Sequence, residues 1–346
     1  MDMEIGVIGA GGASAAAAYV LDGAVPAAEI TVLEKSGGVC GRAATRRNDG
    51  RCYDYGANYL KDDDERVVEL VTEALDADGL VTIDEPVYVF DETGTVSEGR
   101  AADDRKWTYR DGLTQVAKRL FDRTGTTVHR GTRVETISKT GDRWELRDTD
   151  GATWGPFDVL LCNPPAPQTA ELLADAEWEA EIRDPLVEAV AAVPYRSVWT
   201  AVLGYEFETD RPYYAVVNTD KEHEVGWISR EECKPGHVPD GESLLIVQAN
   251  HEWSVDHYDD PPAENVAELA ELTAGVLGDE RLAEPAWTDH QGWRYALPEG
   301  AAARGPLDSA EEYGLYCLGD WIPGEGRLHA ALRNGLDTGE RIAHRY

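Results

Sequence analysis

Positive charge is what this sequence has least of. Across 346 residues, 32 Lys and Arg stand against 66 Asp and Glu, a formal net charge of -34. A phosphate backbone would be repelled and no basic stripe offsets the deficit, which excludes nucleic acid as a partner. Lysine is scarcer still, with 7 residues against 25 arginines. Together with acidic clusters such as Asp62-Asp63-Asp64 and Asp259-Asp260, this composition looks like a surface suited to a high-salt (halophilic) cytoplasm, where screening relieves self-repulsion.

Other absences narrow the class further. The five cysteines (Cys40, Cys52, Cys162, Cys233 and Cys317) are odd in number, scattered and without metal-ligand spacing, which predicts reduced thiols and no metal. No apolar run reaches the roughly 18 to 20 residues of a membrane span. The acidic start Met1-Asp2-Met3-Glu4 lacks the positive charge that opens a signal peptide, so a cytoplasmic protein without stable membrane insertion is expected. There is no His-Glu-x-x-His, no nucleophile elbow and no paired cysteine, and the eight His are scattered. Such an inventory fits an enzyme whose chemistry resides in a cofactor, and equally a protein without catalysis.

What is present argues for two lobes. The chain is longer than one hydrophobic core usually supports, and 42% of it is hydrophobic. Residues 3–8 read as a buried parallel strand, 12–21 as a helix and 29–33 as a second strand, a βαβ start. Helices are predicted at 64–75, 112–122, 168–192, 263–277 and 327–344, with a β-rich stretch between 197 and 249 and an aromatic strand at 286–296. The strand 157–162 must leave its sheet at Asn163-Pro164-Pro165. The expected fold class is α/β: a Rossmann-like dinucleotide-binding domain (1–80, 110–170 and 297–346) interleaved with an α+β substrate domain (81–109 and 171–296) on a mainly antiparallel sheet.

The turn Gly9-Ala10-Gly11-Gly12-Ala13-Ser14 lies between the first strand and the first helix. Gly9 permits the tight turn, Gly11 and Gly12 let backbone approach a pyrophosphate, and the helix N-terminus offers unpaired N–H groups. Ser14 replaces the usual third glycine, which predicts slight crowding of helix against strand. Glu34, at the end of the second strand, is placed to accept hydrogen bonds from both hydroxyls of an adenosine ribose. A Gly-rich segment then runs from Lys35 to Gly41-Arg42, where Arg42 can supply charge-assisted hydrogen bonds to a pyrophosphate.

From here the sequence resembles a known family. Glu34 to Thr45 and Asp54 to Tyr59 look like the second and third FAD-contacting segments of the amine-oxidase-like flavoproteins, within which the likeness is to the renalase-like branch. Phe157 to Gln168 resembles that branch's strand and proline turn, Gly292-Trp293-Arg294-Tyr295-Ala296 its Trp-Arg-Tyr-Ala segment, and Cys317-Leu318-Gly319-Asp320-Trp321 with Gly326-Arg327 its flavin-closing motif. The resemblance implies FAD as cofactor. It places Ala57, Asn58, Asn163 and Gly319 against the cofactor and Val134 on the adenine through its backbone. Asp320 falls on the ribityl chain, and the helix N-terminus at Arg327 and Leu328 falls against the flavin pyrimidine edge.

Asn58, Tyr59, Trp293, Arg294 and Tyr295 are the candidate substrate contacts. The aromatic pair is expected to sandwich a planar ring, and Arg294 to orient an anion or carbonyl. Renalase-like enzymes oxidise misreduced dihydronicotinamide dinucleotides and pass the electrons to oxygen, so the resemblance implies a small reduced substrate of that kind. A net-acidic chain would need a local basic pocket to hold it. The lysine that many amine oxidases place near the flavin is not found in the motifs above. Two alternatives stay open: another amine-oxidase-fold enzyme acting on an amine or polyene lipid, with an apolar tunnel in place of an Arg-lined cleft, and a non-catalytic FAD-binding protein.

Overall fold

The computed structural model describes residues 3–25, 27–99 and 104–346. Met1 and Asp2 lie outside them. The first lobe is built on five parallel strands in the spatial order Thr127–Arg130, Ala28–Glu34, Met3–Ile8, Val159–Cys162 and Leu315–Cys317. Both faces are covered, which explains the unbroken apolar runs. On one face lie the first helix, Gly12–Ala24, and the C-terminal helix, Leu328–Arg345. These two helices pack closely because their contact is made of small residues: a side chain at Gly335 would sit 2.1 Å from the Ala13 carbonyl oxygen.

The second lobe is a seven-stranded sheet in the order Trp287–Pro298, Tyr195–Tyr205, Ser243–Ala249, Val225–Arg230, Ala215–Asn218, Val87–Phe90 and Val96–Ser97. All neighbours are antiparallel except Ala215–Asn218 and Val87–Phe90. Along Ser243–Ala249, Leu245, Val247 and Ala249 face a core shared with the helix Pro262–Leu277, while Leu244 and Ile246 point to the opposite side. Gln248 continues that opposite row by the two-residue alternation of a strand and emerges at the cleft between the lobes.

Several expectations need correction. The stretch 168–192 is two helices, Ala166–Ala174 and Arg183–Ala191, separated by a segment whose Trp178 packs edge-on against Trp144 at 5.2 Å. Pro185 is the reason for the restart, since proline fits only the first turn of a helix. These helices also pack on the first lobe: Leu173, Leu186 and Val190 share a core with Leu160, Cys162 and Trp321. Lys106–Tyr109 likewise pairs with Leu60–Lys61 and Leu80–Thr82 and buries Tyr109 in the first-lobe core. Residues 171–193 and 106–109 therefore move out of the expected substrate domain. The helix at 64–75 is α-helical only over Glu65–Glu69 and widens to a π-turn at Leu70–Ala74. Finally, Phe157 ends a strand of a separate three-stranded antiparallel sheet, so the parallel strand begins only at Val159.

Candidate active site

A cleft of about 2160 Å³ runs between the lobes. Single small-molecule sites occupy roughly 300–1,000 Å³, so this one has room for a dinucleotide cofactor and a second ligand. At one end lies the glycine turn, with Gly9 in the left-handed region at φ 91°. A side chain at Gly11 would meet the Asn163 amide at 2.5 Å, so the turn and the end of the strand Val159–Cys162 must both stay lean. Ser14 does not crowd this junction. Its hydroxyl is fully buried, lies within hydrogen-bond reach of the carbonyls of Gly9 and Gly11, and accepts from the Asn163 side chain at 3.0 Å.

The helix starting at Gly12 and the one starting at Leu328 both open into the cleft, beside Ala13 and Arg327, and neither has a side-chain cap. Their first-turn N–H groups and positive dipole ends are therefore available to an anion. The loop bearing Gly37, Gly38 and Gly41 also borders the cleft, and none of the described residues comes within 4 Å of where a side chain on these glycines would start. This donor set and cradle fit the pyrophosphate and ring system of FAD. Val134, Asn163 and Gly319 line the same end. Lys35, also at this end, reaches Gln168 at 3.3 Å and bridges the loop to the helix Ala166–Ala174.

Glu34 is buried, and each carboxylate oxygen already accepts from a backbone donor: Ala10 N at 2.8 Å and Ser36 N at 2.7 Å. These bonds fix its orientation and leave each oxygen a lone pair for a ribose hydroxyl. Arg42 and Asp320, expected on separate parts of the cofactor, face each other. The Arg42 guanidinium donates to both Asp320 oxygens at 3.0 and 2.7 Å, and to the Ala296 carbonyl at 2.9 Å. Burial alone would lower the Arg42 pKa, but Asp320 outweighs it and raises it. Two opposite charges beside a low-dielectric cleft pair with one another, and the pair ties the loop after Cys40 to the C-terminal motif. Cys40 itself holds a left-handed φ of 79°, unusual for a residue other than glycine. Burial pushes its thiol up to about 12, so it is a neutral packing group.

On the substrate side the expected sandwich of Trp293 and Tyr295 does not form. Trp293 stacks on Tyr55, with centroids 5.3 Å apart, and Tyr295 packs edge-on against Tyr195. The Arg46 guanidinium lies 4.2 Å from the Tyr55 ring, fixed by Asp289 and Gln291. Arg294, between the two aromatics on its strand, lies 4.2 Å over the Tyr258 ring at the cleft rim. Asn58 is held by Ser229 and by the Gly56 carbonyl, while Tyr59 packs against Trp227 and Tyr214.

Tyr55, within the expected segment Asp54 to Tyr59, lines the cleft together with Trp227, Gln248 and Arg196, and these last three escaped the sequence reading. Gln248 had a signal, a lone amide in the otherwise apolar run Leu244 to Ala249. Trp227 and Arg196 had none. Among the described residues, no helix is long and apolar enough to cross a membrane.

Comparison with known proteins agrees with this geometry. Residues 7–74 match the NAD(P)-binding Rossmann-like domain, and residues 95–343 match the flavin containing amine oxidoreductase model. The fold superposes on putrescine oxidase bound to putrescine with a TM-score of 0.74 at 13% identity, each chain covered in full. It superposes on cyclohexylamine oxidase from Brevibacterium oxydans with a TM-score of 0.74 at 14% identity, covering 100% of this chain and 99% of that one. A fatty acid isomerase from P. acnes gives 0.71 at 15% identity, with 99% of each chain covered. The two-lobed α/β architecture is thus that of an FAD-dependent oxidoreductase, and the chain belongs to the flavin containing amine oxidoreductase family.

Proposed function

We propose that this enzyme is renalase-like and takes hydride from a dihydronicotinamide isomer of a reduced nicotinamide dinucleotide, with oxygen receiving the electrons and two protons to give hydrogen peroxide. The charge of the cleft carries this reading. Among the described residues, ten Lys and Arg and nine Asp and Glu line it, although acids outnumber bases by 66 to 32 in the chain. Beyond the cofactor segments, Lys61, Lys106, Arg196, Lys221 and Arg294 border the remaining volume, with Lys61 beside Asp104, Arg196 beside Glu299 and Arg294 beside Asp259. Among the described residues, Lys106 and Arg327 reach only the carbonyl oxygens of Asp104 and Gly326. A dinucleotide polyanion satisfies such a lining. An alkyl chain leaves it uncompensated.

Bound FAD supplies the hydride acceptor and the group that reacts with oxygen. The protein's part is to place the substrate and exclude water. Tyr55, stacked on Trp293, and Tyr59, packed against Trp227, supply aromatic lining, and Arg294 and Arg196 border the same cleft as candidate phosphate contacts. Gln248 donates its amide to the Gly56 carbonyl at 2.8 Å, and among the described residues its own carbonyl has no partner, which suits the N–H of a carboxamide.

The test is anaerobic mixing of the purified holoenzyme, in molar salt, with NADH preparations rich in or free of the minor dihydronicotinamide isomers. Rapid bleaching of the flavin by the isomers alone is expected. Bleaching by primary amines, with none by any isomer, would overturn the assignment.

A further inference from the structure

Behind the cleft, out of contact with it, lies a closed group of four charged side chains. Asp54, Glu231, Lys234 and His237 are each buried, and the side chains are 0% exposed. The Lys234 ammonium sits 3.1 Å from Asp54 Oδ2 and 2.6 Å from Glu231 Oε1. Glu231 Oε2 lies 2.9 Å from His237 Nδ1, and His237 Nε2 lies 2.9 Å from the Tyr109 carbonyl oxygen. Both imidazole nitrogens thus face acceptors, which makes the ring a cation and the group neutral overall. Asp54, Glu231 and His237 cluster as closely as metal ligands do, and the ammonium of Lys234 lies against both carboxylates, as a cation would.

What this group holds is informative. Asp54 accepts from Thr45 Oγ1 at 2.7 Å, from Thr108 Oγ1 at 2.9 Å and from the Leu113 amide at 2.9 Å. Thr45 follows Arg42 to Ala44, and Asp54 precedes Tyr55 to Asn58. These two stretches line the cleft and are zipped together by the bond from Ala57 N to Arg42 O at 2.9 Å. Glu231, Lys234 and His237 come from the second lobe. We infer that this neutral group of four is the positioning device by which the substrate lobe holds both cofactor-facing segments, with Lys234 as its central member and not as a catalytic lysine. The inference rests on FAD binding and is independent of which substrate is oxidised.

The experiment compares Lys234→Met, Lys234→Arg and the double variant Lys234→Met/Glu231→Gln. It reads FAD dissociation by the recovery of flavin fluorescence, together with the melting temperature of the FAD-stripped protein. Lys234→Met leaves a net buried anion and should weaken FAD binding by roughly 10²-fold. The double variant removes one charge of each sign and should recover most of that loss. Lys234→Arg keeps the charge and should lie between the two. If Lys234→Met does not fold, the double variant decides: folded and retaining FAD, it supports the role of charge balance, and folded but without FAD, it refutes it. Wild-type FAD affinity in folded Lys234→Met would also overturn the proposal. Because the readout is FAD retention, it is separate from any failure of the substrate assignment.

Discussion

Gly56 offers a sharp perturbation of the contact between the two cofactor-facing segments. A side chain added there would begin 2.0 Å from the Arg42 carbonyl oxygen and 3.1 Å from the Trp293 ring. Carbon contacts become favourable at roughly 3.5 Å, so the two backbones would have to part by roughly 1.5 Å. The Ala57 N to Arg42 O bond, now 2.9 Å, would not survive that movement. Losing a buried backbone hydrogen bond costs about 1–3 kcal/mol, and overpacking adds about 1–3 kcal/mol. If the strain falls on the bound state, Gly56→Ala should weaken FAD at least roughly 30-fold. The assay is equilibrium dialysis of the holoenzyme with flavin fluorescence as readout. Gly23→Ala is the control, since Gly23 is an exposed helical position with none of the described residues within 4 Å of an added side chain, and it should leave FAD affinity unchanged. A Gly56→Ala protein with wild-type FAD affinity and an unaltered flavin spectrum would falsify the reasoning.

Two further outcomes are expected. Burial alone would lower the His237 pKa, but the Glu231 and Asp54 carboxylates outweigh it and raise it above the ordinary 6.5. The resulting stabilisation is full below pH 6.5 and is lost as pH rises through the raised value, whereas Asp54, held below its ordinary 3.8 by Lys234 and His237 against the effect of burial, loses its contribution only as pH falls through that lowered value. Melting temperature measured from pH 5 upward should therefore decline in wild type and run flatter in His237→Gln; parallel curves would remove His237 as the cause. Gln248→Leu deletes the amide that faces the cleft and should raise KM for a carboxamide-bearing substrate by roughly tenfold or more, with little change for one lacking the amide. An equal effect on both substrates would mean that Gln248 acts only through Gly56.

Much of the cofactor end was legible in the chain because its determinants are local. Gly9 is needed by a tight turn, Glu34 by its place at a strand end, and Gly41-Arg42 by a lean loop beside a helix N-terminus, and each of these follows from neighbours in sequence. The places where the reading failed involve partners far apart. Arg42 and Asp320 stand 278 positions apart, and nothing local says that they neutralise each other. Trp293 finds Tyr55, 238 positions away, in preference to its strand neighbour Tyr295. The buried charges are the extreme case. Glu231-Glu232-Cys233-Lys234 carries three charges in four residues, yet two of its members are sealed in the interior because Asp54 and His237 arrive to complete a neutral set.

The sequence alone therefore determined the fold class and the Rossmann-like start, since glycine placement and strand-end chemistry act over a few residues, while the cofactor came from the resemblance of several separate motifs to a flavoprotein family. Only the tertiary structure decided where the charges go. The cations of Arg42 and Lys234 are placed by the carboxylates that the fold brings within about 3 Å, and Coulomb pairing at that range depends on the packing of both lobes.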